Sequence, residues 1–273
     1  MLVFDISPTE WTAIQLSLRV ASVATLVATP IGIAVAWLLA RRDFWGKALV
    51  DALIHLPLVL PPVVTGYLLL LTFGRRGLIG GWLAEHVGVV FAFRWTGAAL
   101  ACGIMAFPLL VRPIRLSIEA VDLRLEQAAG TLGAAPWRVF WTVTLPLALP
   151  GVLAGMVLGF AKAIGEFGAT ITFVSNIPGE TQTISTAIYS LIQTPDGDSA
   201  ALRLVVVSII ISLAALIASE WFARRAVQRL HGNWPCSALR FQSSSAIFTS
   251  KPVLAARDAS PACSAPPARA RPR

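Results

Sequence analysis

Residues 20–40 read VASVATLVATPIGIAVAWLLA, twenty-one positions without one charge, closed by Arg19 on one side and Arg41 on the other. About 20 apolar residues are enough for a helix to cross the hydrocarbon of a bilayer, so this stretch predicts a membrane span. The same pattern recurs outward along the chain. Charge-free gaps of 23, 17, 23 and 16 residues separate Asp51 from Arg75, Arg94 from Arg112, Arg138 from Lys162, and Arg203 from Glu220. Trp221 and Phe222 extend the last gap, and apolar character resumes beyond Glu166 as far as Val174. The expectation is an all-α integral membrane protein with about five transmembrane helices, and a sixth built from Gly80 to Phe93 stays open. Composition agrees. Of 273 residues 56% are hydrophobic and 13% charged, half the share in an ordinary soluble domain, and the mean hydropathy is +0.73. That balance disfavours a cytosolic enzyme or a secreted disulfide scaffold. A cleaved signal peptide is not expected, because Asp5 and Glu10 stand where a basic segment would precede the apolar one.

The formal charge of +8 has a use other than binding nucleic acid. Arg41, Arg42, Lys47, Arg112, Arg115, Arg124, Arg138, Arg224, Arg225 and Arg229 fall on one predicted face, against Arg75, Arg76, Arg94 and Arg203 on the other. Basic residues favour the cytoplasmic side, which places the N-terminus outside and the C-terminus in the cytoplasm of an inner-membrane protein. Residues 1–234 are read as the transmembrane domain. In residues 235–273, Ala, Ser, Pro and Arg fill 27 of 39 positions, too little apolar surface to offset the entropy of ordering, so a disordered basic cytoplasmic tail is expected there.

The longest cytoplasmic segment runs from Arg112 to Leu145. Asp122 can cap a short helix, Leu123, Leu125 and Leu132 give it apolar contacts, and Gly133 offers a stop. Such a helix is either a handle for a soluble partner or an amphipathic connector on the bilayer surface. Within the spans, Pro57, Pro61 and Pro62 each remove a helix donor. A broken span is tolerated where protein or a watery cavity covers the freed groups, so the bend lies beside a transport path or is a packing kink. Lys162 and Glu166, four apart, can pair, either lining a path or fixing helix packing. Thr170, Thr172, Ser175 and Asn176 are expected to continue that helix outward, and Gly151, Gly155 and Gly159 form a small-residue ladder suited to close packing. His55, His86 and His231, and Cys102, Cys236 and Cys263, make no metal constellation. Trp11, Trp95 and Trp221 lie near span ends, as interface anchors do.

Glu126 and Gln127-Ala128-Ala129, three residues, Gly133, nine residues, then Val143-Thr144-Leu145-Pro146, resemble the cytoplasmic EAA loop of ABC importer permeases. Gln127 stands where that family usually has Glu, with Glu126 one position early, and Val143 replaces Ile. Leu56 to Val64 followed by Gly66, the hexapeptide Gly165-Glu166-Phe167-Gly168-Ala169-Thr170, and Ser175 to Thr181 are similar to the permeases of molybdate importers, over roughly residues 8–230. The resemblance implies a type I ABC importer permease fold with a short cytoplasmic coupling helix. It also implies a homodimer, two cytoplasmic ATP-binding subunits and an extracytoplasmic molybdate-binding protein. Coupling would fall to Glu126, Gln127, Ala128, Ala129, Gly133, Val143, Leu145 and Pro146. A translocation path or gate would draw on Pro61, Pro62, Lys162, Gly165, Glu166, Phe167, Gly168, Thr170, Ser175 and Asn176. No phosphate loop is present, since the only Gly-Lys pair, Gly46-Lys47, precedes Ala48. No cofactor is therefore expected on this chain, ATP-Mg belonging to the partner subunits. The same machine could carry tungstate or sulfate. A solitary ion-coupled carrier would need intramembrane carboxylates, for which Glu166 is the one good candidate, and a membrane-embedded enzyme would need a catalytic cluster that the residues do not supply.

Overall fold

The first helix, α1 (Pro8–Arg41), starts on a capping box: the Glu10 N–H donates to Ser7 Oγ at 3.3 Å and the Ser7 N–H to Glu10 Oε2 at 2.8 Å. In the computed structural model residues 7–231 are described, apart from residue 196, with side chains as far as residue 218. The expected tail at 235–273 lies outside the described residues, as do the side chains of Trp221, Arg224, Arg225 and Arg229. Among the described residues every element is helical: α2 (Lys47–Val59), α3 (Pro62–Phe73), α4 (Leu78–His86), α5 (Trp95–Glu119), α6 (Leu123–Thr131), α7 (Pro136–Val139), a π-helical turn (Phe140–Thr144), α8 (Leu145–Ile164), α9 (Gly168–Val174), α10 (Ile184–Leu191) and α11 (Asp198–His231).

Among the described residues four helical stretches are long and apolar enough to cross a membrane: α1, α5, Pro136–Ile164 and the first 21 residues of α11. The residues of the remaining expected span form α2 and α3, bent by 115° at a short break, which makes the pair a broken span or a re-entrant loop. Leu60 at the break is extended (φ −70°, ψ 144°) because it precedes Pro61, whose ring disfavours helical backbone there, and Pro62 opens α3 as its first residue. Pro57 lies within α2 without ending it, so the break belongs to the Pro61-Pro62 pair. A sixth span does not form from Gly80 to Phe93. Helix α4 has nine residues, about 14 Å, against a hydrocarbon thickness of about 30 Å.

The core is organised around α5, which packs on α1 and α8. Ala21 and Ala24 of α1 share one cluster with Ala98, Ala101, Cys102 and Met105 of α5 and Phe173 of α9, and Ala28 shares another with Leu110 and Val111 of α5. Small side chains let helix backbones approach, which is how helices associate in lipid, where burial of apolar surface gives no net drive. Of the Gly151–Gly155–Gly159 ladder, the first two positions pack as closely as expected, while a Cβ at Gly159 would meet only the Leu110 side chain at 3.4 Å. A Cβ at Gly151 would lie 2.2 Å from Ser117 Cβ, and one at Gly155 2.6 Å from the Leu110 carbonyl oxygen, so α8 and α5 touch there at backbone level.

The expected continuation of α8 through Thr170 to Asn176 is not what forms. Helix α8 ends at Ile164 with Gly165 as its cap, Phe167 is non-helical (φ −131°, ψ −56°), and α9 begins afresh at Gly168. Glycine is a poor helix residue, and two of them bracket the turn. Ser175 then leaves α9 at φ +64°, ψ −165°, a conformation costly for a residue with a Cβ.

Candidate functional site

Helix α6 is capped as its sequence suggests. Asp122 accepts from the Arg124 N–H at 2.9 Å, and Gly133, at φ +84°, donates its N–H to the Gly130 carbonyl at 3.0 Å. A Cβ on Gly133 would meet nothing, so glycine is needed there for its backbone conformation and not for space. The three leucines expected to pack the helix do not: Leu123, Leu125 and Leu132 are 53%, 41% and 89% exposed. All three are turned outward, Leu125 and Leu132 sharing one face while Leu123 lies on nearly the opposite side, next to Glu126 at i, i+3, and the contacts that hold α6 are polar.

Those contacts centre on Glu126. Its Oε1 accepts from Arg41 Nη2 at 2.7 Å and from the Thr144 hydroxyl at 2.8 Å, and the same Arg41 nitrogen donates to the Val121 carbonyl at 3.1 Å. The carboxylate of this loop thus faces inward, joining the end of α1 to the π-helical turn, while Gln127 and Ala128 are exposed and Ala129 is half-buried. Val143 lies in the π-helical turn and Leu145 and Pro146 open α8. Arg41 and Thr144 were missed as partners of Glu126. The signal for Arg41 was its position closing the charge-free stretch, but nothing in the sequence pairs it with a carboxylate 85 residues away. Nearby, Arg115 holds Asp51 of α2 at 2.9 Å and Glu119 at 2.8 Å. Lys47 donates to Asp43 at 2.8 Å, and that ammonium keeps the Asp43 carboxyl below the usual carboxylate range.

The second group of residues gathers where α8 stops. Lys162 and Glu166 pair as expected, Nζ to Oε2 at 2.7 Å, although Glu166 sits beyond the end of the helix. Its other oxygen accepts from the Ala169 N–H at 3.1 Å, so the buried carboxylate both ties back to α8 and satisfies a free donor in the first turn of α9. The two proline- and glycine-rich motifs then meet in space. A Cβ at Gly168 would lie 2.8 Å from Pro62 Cβ, and one at Gly66 2.6 Å from the Ala169 carbonyl oxygen. Helices α3 and α9 are therefore in backbone contact beside the break at Pro61. Thr170 is fully buried and its hydroxyl donates to the Phe167 carbonyl at 2.8 Å, which leaves no donor for a passing solute. Phe167 packs on Tyr189 of α10, ring centroids 5.0 Å apart, another contact the sequence did not signal. Pro61, Gly165 and Ser175 are exposed, while Asn176 donates to the Ser190 hydroxyl and keeps a buried, unpartnered Oδ1. Among the described residues no group of three or more His, Cys, Asp or Glu is placed to hold a metal.

The profile of the family described as "binding-protein-dependent transport system inner membrane component" matches residues 28–228. The molybdenum transport system permease protein ModB of Escherichia coli (strain K12) is 60% identical over 220 residues, covering 81% of this chain and 96% of the relative. The protein of the same name from Haemophilus influenzae is 59% identical over 221 residues, with the same coverage of each chain. A chain in the crystal structure of a bacterial alginate ABC transporter, in complex with its alginate pentasaccharide-bound periplasmic protein, matches 82% of this chain and 80% of its own length. Its TM-score is 0.62 at 20% identity, a likeness of fold.

Proposed function

The chain belongs to the binding-protein-dependent transport system inner membrane components, and from that membership we propose that it is the permease through which ATP hydrolysis on partner subunits drives molybdate across the inner membrane. The observation that carries the reading is near-complete coverage of a molybdenum permease at 60% identity. The chain itself is a multi-pass transport subunit. Two copies form the pathway, an extracytoplasmic binding protein delivers the oxyanion, and two cytoplasmic subunits hold ATP-Mg. The N-terminus faces outward and the basic loops face the ATPase.

Helix α6 is the handle. Its exposed Leu123, Leu125 and Leu132 supply apolar side chains that a soluble subunit can cover, with Gln127, Ala128 and Ala129 between them, Val143 in the π-helical turn, and Leu145 and Pro146 leading into α8. The α3–α9 contact, with Pro61, Pro62, Gly165, Phe167, Gly168 and Thr170 around it and Ser175 and Asn176 further along, is the gate region. Lys162 offers transient attraction to a dianion. Thr170 contributes packing there through its own backbone bond.

The test is to co-purify the chain with its ATPase subunit and binding protein, then replace Ala128 and Ala129 together or make Gly133→Asp. Each variant should lose ATPase-dependent uptake of molybdate while the chain stays in the membrane. Undiminished uptake with normal ATPase association would refute the handle. Sulfate and tungstate as competitors in the parent complex decide the cargo: molybdate uptake fully displaced by equimolar sulfate would overturn the molybdate reading.

A further inference from the structure

Away from α6 and from the α3–α9 contact, a cavity of about 670 Å³ lies between α1, α2 and α5. Val23, Val27 and Ile31 of α1, Leu53 of α2, and Leu100 and Phe107 of α5 form its walls, and Trp95 and Thr96 are the only lining residues with a polar atom in the side chain. Helix α2, one of its walls, has no buried residue. Along α5 the walls run from Trp95 to Phe107, about 18 Å, and along α1 from Val23 to Ile31, about 12 Å, with Arg19 one turn beyond. One leaflet of the hydrocarbon core is about 15 Å deep, so the groove is about one leaflet long.

Its mouth is different in chemistry from its floor. Arg19, the last charge before the 21 uncharged residues, lays its guanidinium 3.9 Å above the centroid of the Trp95 ring, and Arg94 precedes Trp95 as the cap of α5. Among the described residues neither arginine has a carboxylate partner. A guanidinium stacked on an aromatic face keeps its planar fork of donors free for an anion, and for an arginine at the end of a charge-free span the anion to hand is a headgroup phosphodiester.

We propose that the groove holds an acyl chain of one anionic glycerophospholipid, phosphatidylglycerol in type, with its phosphate on Arg19. The occupant needs a long apolar part and a negative group at one end, and a phospholipid has both at the matching separation. A second copy of the chain fits worse. A two-fold interface centred on this face would set the patch against itself, bringing Arg19 and Arg94 against the same pair from the partner.

The experiment uses the full chain in vesicles of phosphatidylglycerol and phosphatidylethanolamine, doped with phosphatidylglycerol carrying a photoreactive group in its acyl chain, with adducts mapped by peptide. Adducts should concentrate on residues 23–31 and 96–107. Arg19→Gln should lower them about tenfold, the loss expected for a charge-assisted hydrogen bond, while adducts on the exposed Leu213 face of α11 stay constant. Gly103→Leu should abolish the groove adducts without Arg19, because a Cβ there meets only Ala24, at 3.7 Å or more, and the side chain can grow into the cavity. Adducts spread evenly over all exposed apolar faces and indifferent to both variants would overturn the assignment. So would efficient disulfide formation between copies carrying Val27→Cys, which would show that a second copy covers the groove.

Discussion

Gly155→Ala and Gly159→Ala add the same methyl group to the same helix, and they should move stability in opposite directions. At Gly155 the new Cβ would lie 2.6 Å from the Leu110 carbonyl oxygen and 3.1 Å from Ile114 Cγ1. Ordinary contact begins at 3.4 Å, so α8 and α5 must part locally by up to 0.8 Å (3.4 − 2.6). The obstacle is backbone, and α5 cannot retreat because α1 packs on it as well. Overpacking of this kind costs about 1–3 kcal/mol, against a gain of up to about 1 kcal/mol from replacing glycine in a helix. The net expectation is a loss of about 1–2 kcal/mol. At Gly159 the nearest atom is the flexible end of Leu110 at 3.4 Å, so the propensity gain stands nearly alone and the variant should equal or exceed the parent. Cys102 is fully buried and reports on unfolding. With Cys236 and Cys263 replaced by Ser, a thiol-reactive fluorophore added during heating in detergent reads the loss of the α1–α5–α8 core. Parent-like melting of Gly155→Ala, or an equal drop for Gly159→Ala, would refute the backbone-contact argument.

Glu126→Gln removes the charge from an ion pair whose side chains are 11% and 18% exposed. Arg41 already keeps a buried Nε without a partner, so leaving the guanidinium opposite a neutral amide should cost about 3 kcal/mol in the same thiol assay. Thr144→Val, which deletes one hydrogen bond, should cost about 1 kcal/mol, and equal losses for the two would argue against Glu126 as the hub. Lys162→Glu sets a second carboxylate beside the buried Glu166 and should abolish oxyanion uptake in a complex that still assembles. Retained uptake would sink the proposed path role, whereas a lost complex would mark the pair as structural.

Much of this fold could be read from where charges are missing. The gaps at 20–40, 95–111, 139–161 and 204–219 all fall inside the long helices observed, and the helices overshoot the gaps because Glu10, Arg41 and Arg115 find partners at the ends. The break at Pro61-Pro62 was legible because proline acts on its immediate neighbours. The stop at Gly165 was not, since an i, i+4 spacing of Lys162 and Glu166 looks the same whether the helix continues or the carboxylate folds back after one turn. Contacts between distant segments were the least visible. Nothing local says that Gly66 receives Ala169, or that Glu126 turns inward to Arg41 and leaves three leucines outside. Those leucines carry the pattern of a packed helix, and under the proposed function the surface that covers them is the ATPase subunit's.

The most direct measurement is accumulation of labelled molybdate in proteoliposomes containing this chain and its ATPase subunit, with ATP on the ATPase side and binding protein on the other. Partner-driven transport predicts accumulation that requires ATP, the ATPase subunit and the binding protein together. Accumulation by the chain alone, without ATP or either partner, would contradict it.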